Sequence, residues 1–387
     1  MPEAAFRIPR STCQLFGTIK ALSTIKKGII LVHGPKGCVY HINYILGLRG
    51  DRPSEIFSTC LNEHDVIFGA EEKLSRAIVE LDRTYHPDLL FVLSCCASGI
   101  IGEDVSAAVK GASVGSRAIA IDSGGFEGDH AGGYRDTLAR IASALTGSSG
   151  ASLPRTVNLL GVLRLGPDLS EIRQILVSSG IEVNAVFTAG LQKDQLARMG
   201  DVALNVVLCE TSGQLAAEVL LEKFGTPYIT TSLPIGTLAT DEFLEKIRSG
   251  MSLPLNRDCH RAEPDLPKLD QSLRIAIFSG PTRAIALSRF LSDLSCPPRL
   301  IVLDFPAPSP DQIKEAAGDE CTILVEPAYQ EINDALAKQE ISLILGGMLE
   351  RPLASLHGIR LIDVMHGSQR TVGYEGAGIL ARLISEK

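Results

Sequence analysis

Short runs of β-branched and aliphatic residues alternate with amphipathic stretches from one end of the sequence to the other. The runs have the length of strands, and the stretches between them repeat their apolar positions with the period of a helix. The predicted strands are 28–32, 89–93, 118–121, 157–162, 182–187, 204–208, 228–230, 274–278, 300–303, 322–325, 342–345 and 360–364. The clearest predicted helices are 168–179, 214–224, 241–249 and 376–384. Because strands that alternate with helices are typical of βαβ units, we predict an α/β fold built on parallel sheets.

Two segments interrupt the alternation. Residues 147–154, GSSGASLP, have the composition of a linker, and residues 253–268 are rich in proline and charge. A chain of 387 residues also exceeds what one hydrophobic core ordinarily holds. We therefore predict three domains, 1–150, 151–258 and 270–387. Since ligands of doubly wound sheets bind at the carboxyl ends of the strands, we expect the functional residues in the loops that follow the strands.

The composition of the sequence argues against several classes of binding partner. The net charge is −8 and no basic block is present, which argues against a nucleic-acid partner. Tryptophan is absent and aromatics make up 5%, so stacking platforms for bases are not expected. No apolar run reaches the roughly 18 to 20 residues of a membrane span, and the first residues lack the apolar region of a signal peptide. We therefore expect no membrane partner and a cytoplasmic location.

The cysteines point to metal chemistry. There are nine, with no CxxC pair, which argues against both a secreted disulfide framework and a zinc ribbon. We predict Cys13, Cys38 and Cys96 at the exits of strands into loops. Several thiolates that converge from separate loops are what a polynuclear iron–sulfur site requires. Such a site is therefore predicted within the first hundred residues.

Two motifs carry these thiols. Residues 33–38 read HGPKGC, where the glycines allow close approach of the backbone and the proline stiffens the loop. Alone, this motif is also compatible with a phosphate loop or a buried structural cysteine. Lys36 is not in a GxxxxGK[ST] frame, so ATP hydrolysis by a Walker loop is not expected. Residues 94–104 read SCCASGIIGED and follow a predicted strand in the same way.

Together with STCLNEHDVIFGAEEKL at 58–74, these motifs resemble the α-type subunits of nitrogenase component 1 and its relatives in order and spacing. The relatives include a cofactor-assembly scaffold, the protochlorophyllide and chlorophyllide reductases, and the nickel-sirohydrochlorin a,c-diamide reductive cyclase of coenzyme F430 synthesis. The resemblance covers essentially the whole chain. It implies three Rossmann-like, doubly wound parallel-sheet domains, the nitrogenase component 1 fold.

The resemblance implies an interface iron–sulfur cluster, of [4Fe-4S] or P-cluster type, held by Cys13, Cys38 and Cys96. That cluster would lie against a homologous β-type subunit or a second copy of the chain. Its electrons would come from an ATP-dependent iron protein dimer. Ligation by Cys60 or Cys95 stays open, and His33 is expected to hydrogen-bond its loop rather than iron.

Two further segments resemble those that hold a second, large iron–sulfur cofactor. Cys209 ends NVVLC, and His366 precedes YEG by a short interval. The resemblance implies that they bind the two ends of a FeMo-cofactor-like cluster or its precursor, with the heterometal open. Tyr134 falls where nitrogenase has a histidine, which argues against dinitrogen reduction. The lysine that helps hold homocitrate is also missing from 348–352.

The implied function is the catalytic subunit of a nitrogenase-like reductase that acts on a small molecule. Among short relatives, a methylthio-alkane reductase that cleaves C–S bonds fits best. Tyr134, His130 and Arg135 are the candidate proton donors or substrate contacts. Two alternatives remain open: the F430-type cyclase, which needs only the interface cluster and a tetrapyrrole, and a scaffold that builds a cofactor and passes it on.

Overall fold

The computed structural model describes residues 12–48, 55–126, 128–162, 166–254 and 266–386. Within these ranges the strands are β1 (Gly28–His33), β2 (Ile56–Ser58), β3 (Leu89–Ser94), β4 (Arg117–Ile121), β5 (Leu153–Leu160), β6 (Glu182–Phe187), β7 (Val202–Val207), β8 (Tyr228–Thr230), β9 (Ile275–Ser279), β10 (Leu300–Leu303), β11 (Thr322–Val325), β12 (Leu343–Gly346) and β13 (Arg360–Asp363).

The helices lie between the strands. They are α1 (Gln14–Leu22), α2 (Lys36–Leu48), α3 (Glu63–Phe68), α4 (Glu71–Tyr85), α5 (Cys96–Ile100), α6 (Val105–Gly111), α7 (His130–Leu145), α8 (Pro167–Ser178), α9 (Lys193–Ala197), α10 (Glu210–Phe224), α11 (Thr237–Gly250), α12 (Pro281–Asp293), α13 (Pro310–Ala317), α14 (Tyr329–Lys338), α15 (Arg351–His357) and α16 (Gly373–Ser385). A short 3-10 turn spans Met348–Glu350. No helix in the described ranges is long and apolar enough to cross a membrane.

The strands form three parallel sheets with the orders β2-β1-β3-β4, β6-β5-β7-β8 and β11-β10-β9-β12-β13. The central strands β1, β3, β7 and β9 are almost wholly buried. Buried central strands are typical of parallel sheets covered by helices on both faces, since neither face meets water. The predicted fold class is therefore confirmed, with three parallel α/β sheets.

Two local predictions were wrong. The strand β2 was missed because three half-buried residues, Ile56–Ser58, give too short a pattern to read. The linker predicted at 147–154 ends inside β5, which begins at Leu153. Most of the second predicted junction, 255–265, lies outside the described residues. The domain boundaries themselves stay predictions.

Helices α1 and α7 cross with their backbones in contact. A Cβ atom added to Gly133 would lie 2.2 Å from the carbonyl oxygen of Gln14, and one added to Gly17 would lie 1.9 Å from that of His130. Only glycine allows this approach, because any side chain at either position would collide with the opposite backbone. The crossing places the start of α1 beside the start of α7.

Candidate metal centres

The three expected cluster cysteines lie beside the carboxyl edge of the first sheet. Cys38 is in the first turn of α2, which follows β1, and Cys96 is the first residue of α5, which follows β3. The strand expected before Cys13 falls within residues 1–11, outside the described residues, so this expectation stays a prediction. Cys13 caps α1 and reaches the site because α1 packs on α7, where it also forms an isolated β-bridge with Asp129. Cys13 is exposed, and Cys38 and Cys96 are half-buried.

The loop that follows β4 lies close to two of these cysteines, Cys13 and Cys96. The amide of Gly125 donates a hydrogen bond to Cys96 Sγ at 3.2 Å. A Cβ atom at Gly125 would lie 2.8 Å from that sulfur and 3.1 Å from Cys13 Cβ. Backbone donors to ligand sulfurs and a lack of side-chain bulk both suit a negatively charged cluster. In the described part of the chain, no three His, Cys, Asp or Glu side chains are grouped to hold a single metal ion.

A fourth thiol, that of Cys95, lies beneath the protein surface. Its side chain is buried, and a Cβ atom at Gly34 would lie 2.5 Å from its sulfur. The thiols of Cys95 and Cys38 share a hydrogen bond. That bond raises the pKa of Cys38, with burial as the second cause, and it lowers the pKa of Cys95 to about 6. Such a pair titrates as one unit with a shared proton.

Cys60 is exposed and has a left-handed backbone, with φ of 53°. Its amide donates to Ser58 Oγ at 2.9 Å, and its carbonyl accepts from Lys73 Nζ at 2.9 Å. Lys73 also pairs with Asp65, which belongs to the capping box of α3. Ligation by Cys60 stays open.

His33 and Glu103 organise the loops around the thiols. His33 Nδ1 lies 3.0 Å from Thr59 Oγ1, and its Nε2 lies 3.5 Å from Glu103 Oε2. Glu103 Oε1 also accepts a hydrogen bond from the Ala70 amide. Burial lowers the pKa of His33. The expectation that His33 bonds a loop agrees with this geometry, whereas no role was predicted for Glu103, because an acidic residue near a helix start is ordinarily a cap.

The second candidate centre begins at Cys209. This residue follows β7, caps α10 and is buried. Its sulfur lies 3.4 Å from Ser212 Oγ and accepts a hydrogen bond from Thr282 Oγ1 at 3.3 Å. The backbone of Gly161 passes so close that a Cβ atom there would lie 2.8 Å from the Cys209 carbonyl oxygen. A buried thiol at the end of a strand that accepts a hydrogen bond from a neighbouring hydroxyl has the setting of a metal ligand.

The three expected substrate contacts all lie in the first two turns of α7. Helix α7 begins at His130, where Asp129 caps it by accepting a hydrogen bond from the Gly132 amide at 2.8 Å. Tyr134 is buried, and its hydroxyl donates to the Val162 carbonyl at 3.3 Å. Burial raises the pKa of Tyr134, and the nearby Cys209 thiol raises it further. The His130 ring packs edge-on against Phe305.

Arg135 differs from its two neighbours on α7. Its side chain is exposed and pairs with the adjacent Asp136 at 2.7 Å. The structure therefore gives it a surface position, whereas Tyr134 is buried.

His366 lies on the turn that follows β13. The amides of residues 365–367 all donate to Asp363 Oδ1, which fixes the turn. The imidazole retains 23% exposure, and a Cβ atom at Gly347 would lie 2.8 Å from its Nδ1. Arg351 Nη2 lies 3.6 Å from Asp363 Oδ2.

A buried network joins the loops of the second and third sheets. Arg283 pairs with Asp168 at 3.2 Å and donates to Thr371 Oγ1 at 2.9 Å. The Thr371 amide donates to the Asp168 carboxylate at 2.7 Å. Thr371 follows His366 by five residues, and Arg283 follows Thr282, whose hydroxyl contacts Cys209. The network therefore joins the segment that carries His366 to the segment that contacts Cys209.

Comparisons with known proteins agree with this architecture. A model of the nitrogenase component 1 type oxidoreductases matches residues 13–387. The nitrogenase iron-molybdenum cofactor biosynthesis protein NifE of Clostridium pasteurianum is 30% identical over 96% of this chain and 85% of its own. A subunit of the light-independent protochlorophyllide reductase of Prochlorococcus marinus (strain MIT 9515) is 25% identical over 94% of this chain and 76% of its own.

A solved structure described as "Nitrogenase Cp1 at pH 6.5" superposes with a TM-score of 0.84 at 22% identity, over 99% of this chain and 93% of that one. At that identity the likeness concerns the fold. The family match spans nearly every residue, including the cysteine motifs at the first sheet. The chain is therefore a member of the nitrogenase component 1 type oxidoreductase family.

Proposed function

We propose that this chain is the catalytic, α-type subunit of a nitrogenase-like reductase with two metal centres. Cys13, Cys38 and Cys96 would hold an interface iron–sulfur cluster, and Cys209 and His366 would hold a second, larger cofactor. The observation that carries the proposal is the setting of Cys209, a buried thiol at a strand end that contacts two hydroxyl groups. A thiol that served only to fill the core would not need these polar neighbours.

The surface around the first centre supports a partner subunit. Large apolar side chains stand exposed on the segments that carry the thiols, among them Tyr40, Tyr44, Ile100 and Phe126. Tyr40 follows Cys38 by two residues, and Phe126 follows Gly125. Contiguous exposed apolar surface typically marks a contact with another protein. A homologous β-type subunit or a second copy would cover this surface and complete the cluster.

Electron supply is proposed to come from a separate ATP-dependent iron protein dimer, since the sequence contains no Walker loop of its own. Helix α7 would link the two centres. Asp129, which caps it, forms a β-bridge with Cys13, and Tyr134 in its second turn donates to the carbonyl of Val162. The residue before Val162, Gly161, passes close to the Cys209 backbone.

When bound, the larger cofactor would supply the electrons and the metal sites for reduction. Tyr134 would keep its proton under ordinary conditions, because burial raises its pKa. Tyr134 and His130 are the proposed proton donors, and the surface position of Arg135 fits that role less well. The proposed substrate is a small methylthio-alkane whose C–S bond is cleaved.

A scaffold role is the second candidate. It is favoured by one observation, that the relatives of this chain include NifE proteins, which are described as acting in biosynthesis of the iron-molybdenum cofactor. A scaffold would lose its larger cluster to an acceptor apoprotein and would not turn over a thioether.

The test is metal analysis of the anaerobically purified complex, with Cys209→Ala and His366→Ala as variants. Both should fold, keep the interface cluster, and lose the additional iron together with its paramagnetic resonance signal. Cys321→Ala is the matched control, because Cys321 immediately precedes β11 of the third sheet and has no proposed role in either centre. Wild-type iron limited to the interface cluster, and unchanged in both variants, would refute the second centre and favour the cyclase.

Reductase activity separates the remaining candidates. Turnover of a methylthio-alkane should require added iron protein and MgATP. Equal turnover with dithionite alone would contradict the proposed electron route. Transfer of the larger cluster to an acceptor apoprotein, without turnover, would identify the scaffold.

A further inference from the structure

The Cys209 sulfur and the Thr282 hydroxyl come from different sheets. Cys209 follows β7 of the second sheet, whereas Thr282 is the second residue of α12, which follows β9 of the third. We infer that Thr282 is a positioning residue that donates its hydroxyl hydrogen to the Cys209 sulfur and tunes the reduction potential of the cluster bound there. This inference rests on the proposed function.

The backbone holds Thr282 in place from both sides. On one side, a Cβ atom at Gly280 would lie 2.8 Å from the Phe305 ring, so the approach to α12 is tightly packed. On the other side, Arg283 is anchored in the buried network with Asp168 and Thr371. The hydroxyl of Thr282 is therefore presented to Cys209 by a fixed scaffold.

The hydrogen-bonding roles around the sulfur fit a metal ligand. In the thiol form, Thr282 donates to the sulfur while the thiol hydrogen points to Ser212 Oγ. Metal binding removes that thiol hydrogen. Because a hydroxyl hydrogen rotates freely, Ser212 can then donate as well, so the thiolate would accept from two donors where the thiol accepted from one.

These donors have a definite electronic effect. A hydrogen bond to a ligand sulfur withdraws negative charge from it and stabilises the more reduced cluster, which raises the reduction potential. Thr282→Val removes the donor while the shape of the side chain changes little. Thr282→Ser keeps the donor and loses only the methyl group.

The experiment is a redox titration of the anaerobically purified complex, followed by paramagnetic resonance, with iron per chain measured in parallel. In Thr282→Val, the midpoint potential of the second cluster should shift to a more negative value. In Thr282→Ser it should stay at the wild-type value, and the signal of the interface cluster should be unchanged in both.

Three results would overturn the inference. The first is an equal potential in wild type and Thr282→Val at equal iron content. The second is loss of the second cluster in both Thr282 variants, which would show that the cluster does not depend on the hydroxyl alone, because Thr282→Ser keeps that hydroxyl. By contrast, loss of the second cluster in Thr282→Val but not in Thr282→Ser would support the inference. The third is wild-type iron that is confined to the interface cluster and unaffected by Cys209→Ala, which would overturn the proposed function as well.

Discussion

The imidazole of His33 and the carboxylate of Glu103 lie 3.5 Å apart with both side chains buried, and they join the two loops that carry Cys38 and Cys96. His33 precedes α2, and Glu103 follows α5. The pair therefore links the loop that carries Cys38 to the loop that carries Cys96. Removing one member of such a buried polar pair lowers the free energy of unfolding, because the other member then has neither a partner nor water to bind.

Glu103→Ala should destabilise the protein. The substitution removes the partner of His33 Nε2 and the acceptor of the Ala70 amide. Each unpaired buried group costs about 1–3 kcal/mol, so we expect a loss of at least that size in the free energy of unfolding, measured in urea. Glu63→Ala is the control, since Glu63 is exposed. Equal stability of the two variants would contradict the structural role of Glu103.

The pH dependence of stability should carry a contribution from His33. Burial lowers its pKa below the ordinary value of 6.5 in the folded protein. Just below pH 6.5 the unfolded chain therefore binds a proton that the folded chain does not, so stability falls as the pH falls through this region. This loss of stability stops growing once the pH is below the pKa of His33 in the folded protein. In the metal-free protein, His33→Gln should flatten this slope in urea denaturation, and the exposed His41→Gln serves as control. An identical slope in wild type and His33→Gln would rule out the contribution.

Arg283→Met should be strongly destabilising, because it leaves the Asp168 carboxylate buried without its ion pair. Breaking one side of a buried pair costs about 3–5 kcal/mol. Adding Asp168→Asn to Arg283→Met should recover part of that loss, as a double-mutant cycle in urea would measure. Arg289→Met, on the exposed face of the same helix, is the control. Additive effects of the two substitutions would show that the pair is not coupled.

Gly133→Ala should disturb the first metal centre from a distance. The added Cβ atom would lie 2.2 Å from the Gln14 carbonyl, so α1 must move away from α7 and carry Cys13 with it. We expect lower stability together with less iron at the interface cluster. Gly47→Ala in α2 is the control, because a Cβ atom there meets nothing within 4 Å. Wild-type iron content in Gly133→Ala would mean that the helix crossing does not position Cys13.

Much of the fold could be predicted from the sequence. The strands β6, β8, β10 and β11 have the predicted bounds because each is an apolar run limited by turn residues or charges. Cys38 and Cys96 were also placed correctly, since each follows a buried strand in the sequence.

What could not be predicted depends on contacts between distant segments. The position of Cys13 follows from the crossing at Gly17 and Gly133, and isolated glycines in helices give no pattern that pairs them. The role of Thr282 is equally hidden, since the hydroxyl meets the Cys209 sulfur from 73 residues away along the chain. Such contacts are set by tertiary packing rather than local propensity.

The interface cluster is tested most directly by removing its thiols one at a time. Cys38→Ala and Cys96→Ala should each lower the iron content and weaken association with the partner subunit, because a cluster shared between chains contributes binding energy at their contact. Iron analysis and sedimentation of the anaerobic complex would measure both effects. Cys95→Ala belongs in the same series: loss of iron equal to that of Cys38→Ala would make Cys95 a ligand, and wild-type iron would make it a packing residue behind Gly34. Cys296→Ala, a buried thiol on the third sheet's side of the molecule, controls for the loss of a cysteine as such. Unchanged iron and an unchanged assembly in both Cys38→Ala and Cys96→Ala would refute a cluster at this surface.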